Sequence, residues 1–258
     1  REIADTLKCA TADRRLNHSV VNAAPIQGAE QDLLVPPYTL GAWLGDGTTA
    51  CAQLTTADPE IVMRIEGEGG TDKSALCTIG VLGDKHIPLQ YLRASEGQRR
   101  ALLAGLLDTD GTVTNGGAVQ FTVTNSRLAA DVVELVVSLG YRCQVATKAV
   151  NGRSELSSTA YLVNFSASDQ VFGLHRKELL HKERRAASTA RSHSRFITDV
   201  RPVPSVPVRC VEVDNADHMY LASRAMVPTH NSTLGLDFMQ QSAYTANFDK
   251  RQNRNQQR

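Results

Sequence analysis

The chain has 258 residues, of which 41% are hydrophobic, and its 28 basic and 27 acidic side chains leave a formal net charge of +1. This length and apolar content suffice for one large or two small domains. The balanced charge excludes DNA binding driven by bulk charge, so a DNA contact needs a local basic surface. No apolar run reaches the roughly 20 residues that span a bilayer, and we expect no membrane partner.

The cysteines are too few and too scattered for a disulfide framework or a CxxC metal site. They occur singly, at Cys9, Cys51, Cys77, Cys143 and Cys210. No signal peptide opens the chain, so we expect a reducing, cytoplasmic setting. The first residue is arginine rather than methionine, and we expect the chain to be part of a longer protein.

Two apolar helices are predicted after an irregular stretch at residues 1–35. One lies in YTLGAWLGDG and ends near Asp46, and the other lies in ASEGQRRALLAGLLDTDG and ends near Asp110. Ser95 and Gln98 give the second helix a capping-box pattern at its start. The sequence therefore predicts two similar helices that each end in an Asp-Gly pair.

The segment after the second helix predicts a ββαββ unit. Alternating runs flank the Asn-Gly pairs at 115–116 and 151–152, a pattern typical of β-hairpins. Between them an apolar stripe predicts a helix capped by Asn125 or Ser126. A polar, basic helix and linker follow, then short strands in VPVRCVEVD, HMYLAS and AMVPTHN. We therefore predict a mixed α/β (α+β) fold.

Small residues in the two apolar helices, such as Gly41 and Gly105, allow the helices to pack backbone to backbone. Such packing would bring Asp46 and Asp110 together at one end of the pair. Two carboxylates at one point need a cation, and hard oxygen ligands suit Mg²⁺. A divalent ion held this way can activate water for phosphodiester cleavage. Asp46 and Asp110 are therefore the predicted metal ligands.

The segment LLAGLLDTDGTV closely resembles the LAGLIDADG motif of homing endonucleases, and LGAWLGDGT resembles the degenerate first copy of that motif in inteins. KHIPLQYLRAS resembles the lysine-bearing segment of the same endonucleases. The resemblance implies a double-stranded DNA substrate, bound by sheets beside the paired helices. It also implies that Lys85 is a catalytic or phosphate-polarising lysine.

The first half of this endonuclease region is short. About 65 residues separate Gly111 from Lys177, but only about 38 separate Gly47 from Lys85. The shorter stretch has no room for a full ββαββ unit, so part of the DNA-binding surface is missing. We therefore expect weak or absent DNA cleavage.

The segment VPVRCVEVDNADHMYLASRAMVPTHN-ST resembles the C-terminal splicing motifs of inteins. The resemblance implies that the Asn231 side chain attacks its own carbonyl and breaks the bond to Ser232, an intramolecular reaction with a high effective concentration. His230 would act in proton transfer to the leaving amine, and His218 would support it. Ser232 would accept the upstream host segment. The resemblance implies no cofactor for splicing.

Cys210 stands where many inteins carry an aspartate. Together with Thr229 it resembles the class 3 inteins, in which an internal cysteine attacks the upstream splice junction. The resemblance implies that Cys210 is the branching nucleophile and Thr229 part of that motif set. We expect the upstream splicing half, with its tryptophan-bearing motif, to precede this chain and to be its partner.

Residues 232–239, STLGLDFM, resemble the continuation of a nucleotide-binding P-loop in replicative helicases of the DnaB type. This resemblance implies flanking helicase segments as partners. The predicted segments are a linker at 1–32, a LAGLIDADG endonuclease domain at 33–190, a Hint-type all-β splicing segment at 191–231 and a host tail at 232–258.

Two other interpretations compete with an intein that carries a degenerate endonuclease. One is a free-standing, active LAGLIDADG endonuclease, which would have no need of the terminal Thr-His-Asn-Ser pattern. The other is a helicase fragment that only binds DNA, against which the missing Gly-Lys of a nucleotide loop argues.

Overall fold

The computed structural model describes residues 2–7, 16–150, 158–185, 193–204, 207 and 213–230. Within these ranges the helices are α1 Glu2–Leu7, α2 Pro37–Asp46, α3 Pro59–Gly67, α4 Lys73–Thr78, α5 Leu89–Leu92, α6 Glu96–Asp110, α7 Ser126–Ser138 and α8 His175–Arg184. The strands are β1 Ser19–Val21, β2 Gly111–Val113, β3 Val119–Val123, β4 Cys143–Val150, β5 Ser158–Phe165, β6 Ser194–Phe196, β7 Met219–Ala222 and β8 Val227–His230. The chain divides into two compact units, one of residues 24–192 and one of residues 1–23 with 193–258.

The larger unit is built around the pair α2 and α6, whose backbones touch. A Cβ atom at Gly41 would lie 2.2 Å from the carbonyl oxygen of Leu102, and one at Gly105 would lie 2.2 Å from that of Tyr38. Only glycine leaves room for this approach, so the predicted close packing of the two helices is confirmed. The predicted capping box is also present, because Ser95 and Gln98 exchange hydrogen bonds at 3.3 and 3.2 Å.

The ββαββ unit predicted after α6 is confirmed. Its strands form one antiparallel sheet in the order β2-β3-β5-β4, and α7 lies between the two hairpins in sequence. The side chain of Asn125 caps α7 by accepting from the N–H groups of Arg127 and Leu128. One face of the sheet is buried in the core through Val119, Phe121 and Val163. The predicted turn at 151–152 lies outside the described residues.

The first half of this unit has no matching sheet. Every residue from 48 to 84 is described, and this stretch contains α3, α4 and a single isolated bridge between Gly47 and Leu54. The described residues 48–84 therefore form no second ββαββ unit.

The smaller unit contains two antiparallel strand pairs in its described residues. β1 pairs with β6, and β7 pairs with β8. The strands predicted in HMYLAS and AMVPTHN are confirmed, whereas most of VPVRCVEVD lies outside the described residues. The irregular structure expected throughout 1–35 is wrong at Glu2–Leu7 and Ser19–Val21. A strand of three residues carries almost no local sequence pattern. β1 forms because it pairs with β6, which lies far along the chain, so the residues near β1 do not predict it.

The mixed α+β class is confirmed, since helices accompany antiparallel sheets. Among the described helices, none has both the length and the apolar character needed to cross a membrane.

Candidate active site at the ends of α2 and α6

The two long apolar helices end in the same way, each with an aspartate as its last residue. Asp46 ends α2 and Asp110 ends α6, and a glycine in extended conformation follows each. The N–H of Gly47 donates to the carbonyl of Trp43 in α2, and the N–H of Gly111 donates to the carbonyl of Leu107 in α6. The close packing of the helices therefore places two equivalent carboxylate-bearing ends side by side.

The end of α2 lies directly against Asp110. A Cβ atom at Gly45 would lie 3.6 Å from Oδ2 of Asp110. Burial raises the pKa of the Asp110 carboxyl, and the negative charge of Asp46 raises it further. Asp110 is half-buried and Asp46 is exposed. The structure thus brings the two predicted metal ligands within electrostatic range of one another.

Lys85 lies at the same place. Its Nζ donates to the carbonyl oxygens of Leu44 at 3.0 Å and Gly45 at 3.3 Å. Burial lowers the pKa of its ammonium group, and the charges of Asp110 and Asp46 oppose that effect. The lysine predicted from the sequence therefore caps the carboxyl end of α2 beside both aspartates.

Lys177 has the corresponding position at the end of α6, a role that was not predicted from the sequence. Its Nζ donates to the carbonyl oxygens of Leu107 and Asp108 at 2.8 Å, Gly111 at 2.7 Å and Thr109 at 3.3 Å. Burial lowers its pKa, and Asp108 and Asp110 are among the charges that oppose this. The sequence feature that could have identified Lys177 is its position after the second Asp-Gly motif, which parallels the position of Lys85 after the first.

Asp108 is a second carboxylate of this motif, but it faces the protein interior. It accepts from the Tyr38 hydroxyl at 2.8 Å and from the N–H groups of Gly173 and Leu174 at 3.0 Å. Burial raises its pKa, and these hydrogen bonds oppose the rise. Asp108 therefore fixes the chain that leads into α8, the helix that carries Lys177.

The arrangement offers a divalent cation two carboxylates, with one ammonium group at the end of each helix nearby. The described part of the chain contains no cluster of three or more histidine, cysteine, aspartate or glutamate side chains suited to a metal. A cation at Asp46 and Asp110 would therefore fill its remaining coordination positions with water or phosphate oxygens. Mg²⁺ accepts such a shell, because it is commonly held by one or two carboxylates plus waters and substrate phosphates.

The described splicing residues lie on the β7–β8 hairpin of the smaller unit. His230 is paired with Met219 across the hairpin, and Thr229 is paired with Tyr220. The imidazole rings of His218 and His230 have centroids 6.3 Å apart and are inclined by 63°. Thr229 is buried, and its hydroxyl donates to the carbonyl of Val227 at 3.1 Å. The hairpin thus brings His218, Thr229 and His230 together.

Three predicted splicing residues, Cys210, Asn231 and Ser232, lie outside the described residues. Nδ1 of His230, the residue directly before Asn231, is buried and has no hydrogen-bond partner within the described part of the chain. This nitrogen belongs to the residue that is predicted from the sequence to transfer a proton to the leaving amine.

Residues 86–193 match the family model of homing endonucleases. The matched stretch holds α6, the four-stranded sheet and α8, and it starts after the shortened first half. This part of the chain is therefore similar to homing endonuclease domains.

The chain is also similar to replicative helicases. It is 70% identical over 243 residues to a replicative DNA helicase DnaB of Mycobacterium intracellulare, an alignment that covers 92% of this chain and 42% of that protein. It is 81% identical over 43 residues, 17% of this chain, to a replicative DNA helicase DnaB of Mycobacterium leprae (strain TN), of which 7% is covered. The chain thus spans less than half the length of these relatives.

Proposed function

We propose that the chain is a splicing segment of a DnaB-type replicative helicase, namely the endonuclease domain of an intein together with its C-terminal splicing residues. One observation carries the proposal: a homing endonuclease domain lies within a chain that aligns over 92% of its length with a replicative DNA helicase. A helicase whose polypeptide is interrupted by a nuclease domain needs a way to remove the interruption. The Thr-His-Asn-Ser sequence at 229–232 supplies one.

The proposed splicing begins at Cys210. Its thiolate attacks the carbonyl of the upstream junction, and the amine of that junction leaves with a proton, so that a thioester forms on the sulfur. The hydroxyl of Ser232 then attacks the thioester and releases the thiol, which gives a branched ester. Finally the Asn231 amide nitrogen attacks its own carbonyl, forms a succinimide and releases the amine of Ser232.

The described geometry supports the last of these steps. His230 directly precedes the cyclising residue in sequence and lies beside His218, so two neighbouring imidazoles are available for proton transfer in this step. The buried hydroxyl of Thr229 donates to the carbonyl of Val227 within the same strand, next to His230. His218 and Thr229 are proposed to support the reaction.

For the endonuclease, we propose that Asp46 and Asp110 bind Mg²⁺ and that Lys85 and Lys177 polarise the phosphate or the attacking water. When bound, the cation would stabilise charge on the cleaved phosphodiester. The absence of a sheet in 48–84 removes one of the two surfaces that would hold double-stranded DNA. The nuclease activity is therefore proposed to be impaired.

Intact-mass spectrometry of the purified chain tests the splicing proposal. We expect slow cleavage after Asn231, which releases residues 232–258, and we expect Asn231→Ala to abolish it. Asn215→Ala is unsuitable as a control because it lies near His218, whereas Asn115→Ala, in the turn between β2 and β3, should cleave at the unaltered rate. Cleavage that continues in Asn231→Ala would refute the proposal.

A free-standing, active endonuclease is the second candidate, and the family match at 86–193 favours it. The two functions differ in a simple respect. A free nuclease would cut DNA efficiently and would keep the bond between Asn231 and Ser232 intact.

A further inference from the structure

A short turn leads into β7 and is closed by two side chains. Asn215 Nδ2 donates to Oδ1 of Asp217 at 2.5 Å and to the carbonyl of Met219 at 2.8 Å. The same Asp217 oxygen accepts from the N–H of Met219 at 3.0 Å, and the N–H of His218 donates to the carbonyl of Asn215 at 3.0 Å. Residues 215–219 therefore form a tight turn that contains His218 and is held by four hydrogen bonds.

His218 has a backbone conformation that its side chain does not favour. Its φ is +50°, in the left-handed region, where a residue other than glycine persists only if its surroundings determine the conformation. The surroundings here are the hydrogen bonds of Asn215 and Asp217, one residue before the ladder that pairs Met219 with His230. This conformation accompanies the placement of the His218 ring 6.3 Å from the ring of His230.

We propose that Asp217, oriented by Asn215, is a positioning residue that sets the rate of Asn231 cyclisation through His218. Asp217 holds the backbone of His218 in the left-handed conformation, and this presents the imidazole to His230. The inference rests on the proposed splicing function, because it assigns the turn a role in that reaction. Neither Asp217 nor Asn215 takes part in the chemistry itself.

A double-mutant cycle on the intact chain tests the proposal, with cleavage after Asn231 followed by mass spectrometry. Asp217→Ala should slow cleavage roughly tenfold when His218 is present. His218→Asn removes the imidazole but keeps a residue that tolerates the left-handed conformation. In that background Asp217→Ala should have no further effect, because its influence passes through the missing ring.

Two further variants separate positioning from general damage to the hairpin. Asp217→Asn keeps the accepting oxygen and should restore most of the rate. Ser223→Ala is the matched control, because Ser223 also has a positive φ, of 63°, and its Oγ accepts from the N–H of Ala225 at 3.2 Å at the other end of the hairpin. Ser223→Ala should cleave at the unaltered rate.

The outcomes differ for this inference and for the function on which it rests. If Asp217→Ala slows cleavage equally with His218 and with His218→Asn, or if Asp217→Asn is as slow as Asp217→Ala, the positioning role is wrong while splicing stands. If the unaltered chain never cleaves after Asn231, both the proposed function and the positioning role fall.

Discussion

Lys177 stands at the end of α6 as Lys85 stands at the end of α2. Each ammonium group donates to the last carbonyls of its helix and lies within electrostatic range of Asp110. Cations at helix carboxyl ends are favourable, because they meet the negative end of the helix dipole. The helix ends are thus matched in aspartate and lysine, even though only the second half of the larger unit carries a sheet.

Lys177→Met is expected to lower the free energy of unfolding by about 2 kcal/mol, because four carbonyl groups lose a charged donor. Lys85→Met should cost less, about 1 kcal/mol, since only two carbonyls lose their donor. Urea denaturation measures both values. Lys148→Met, on an exposed part of β4, is the control and should change stability little. Equal losses of stability for Lys85→Met and Lys177→Met would contradict their unequal numbers of hydrogen bonds.

Gly41→Ala should destabilise the larger unit by about 3 kcal/mol, because the new methyl group would meet the Leu102 carbonyl oxygen at 2.2 Å. Gly97→Ala is the matched control, since Gly97 lies in α6 with only the Ser95 hydroxyl at 4.0 Å. This replacement should stabilise the protein by about 0.5 kcal/mol through helix propensity. Thermal unfolding of the two variants checks the contrast, and a harmless Gly41→Ala would show that the two backbones do not touch.

The raised pKa of Asp110 gives a pH-dependent prediction. A carboxyl whose pKa is higher in the folded state contributes stability below its unfolded pKa, and this contribution is lost as pH rises through the folded pKa. Asp110→Asn should therefore raise the free energy of unfolding at neutral pH, and the difference should vanish below about pH 4. Urea titrations across this range measure it.

Millimolar Mg²⁺ should stabilise the parent chain at neutral pH if Asp46 and Asp110 bind the cation. Asp46→Asn and Asp110→Asn should each abolish this effect, whereas Asp72→Asn, at the start of α4, should retain it. Melting temperatures with and without Mg²⁺ provide the measurement. Stabilisation that survives in both variants would place the cation elsewhere.

The sequence predicted the repeated elements of the larger unit well, because their signals are local. The capping box at Ser95, the cap at Asn125 and the Asp-Gly ends of both helices are each encoded within a few residues. The pairing of β1 with β6 and the role of Lys177 at the end of α6 were missed. Both depend on contacts between distant segments, which no short pattern contains.

DNA cleavage by the chain should be weak, because residues 48–84 form helices where a second sheet would be needed to hold the duplex. A plasmid that carries the uninterrupted helicase gene is the substrate, and agarose electrophoresis with Mg²⁺ measures cutting. Any residual cutting should disappear in Asp110→Asn. Efficient cutting by the unaltered chain would show that one sheet suffices and would favour the free-standing nuclease.

The role of Cys210 and Asn231 in splicing is tested most sharply by mass spectrometry of the full-length protein with Asn231→Ala, with and without Cys210→Ala. With Asn231→Ala alone, the last cleavage is blocked, and the branched ester on Ser232 should accumulate. With Cys210→Ala added, no branched ester should form, because the first nucleophile is gone. A branched ester that forms at an undiminished rate in the double variant would show that Cys210 is not the first nucleophile and would assign that step to a nucleophile elsewhere.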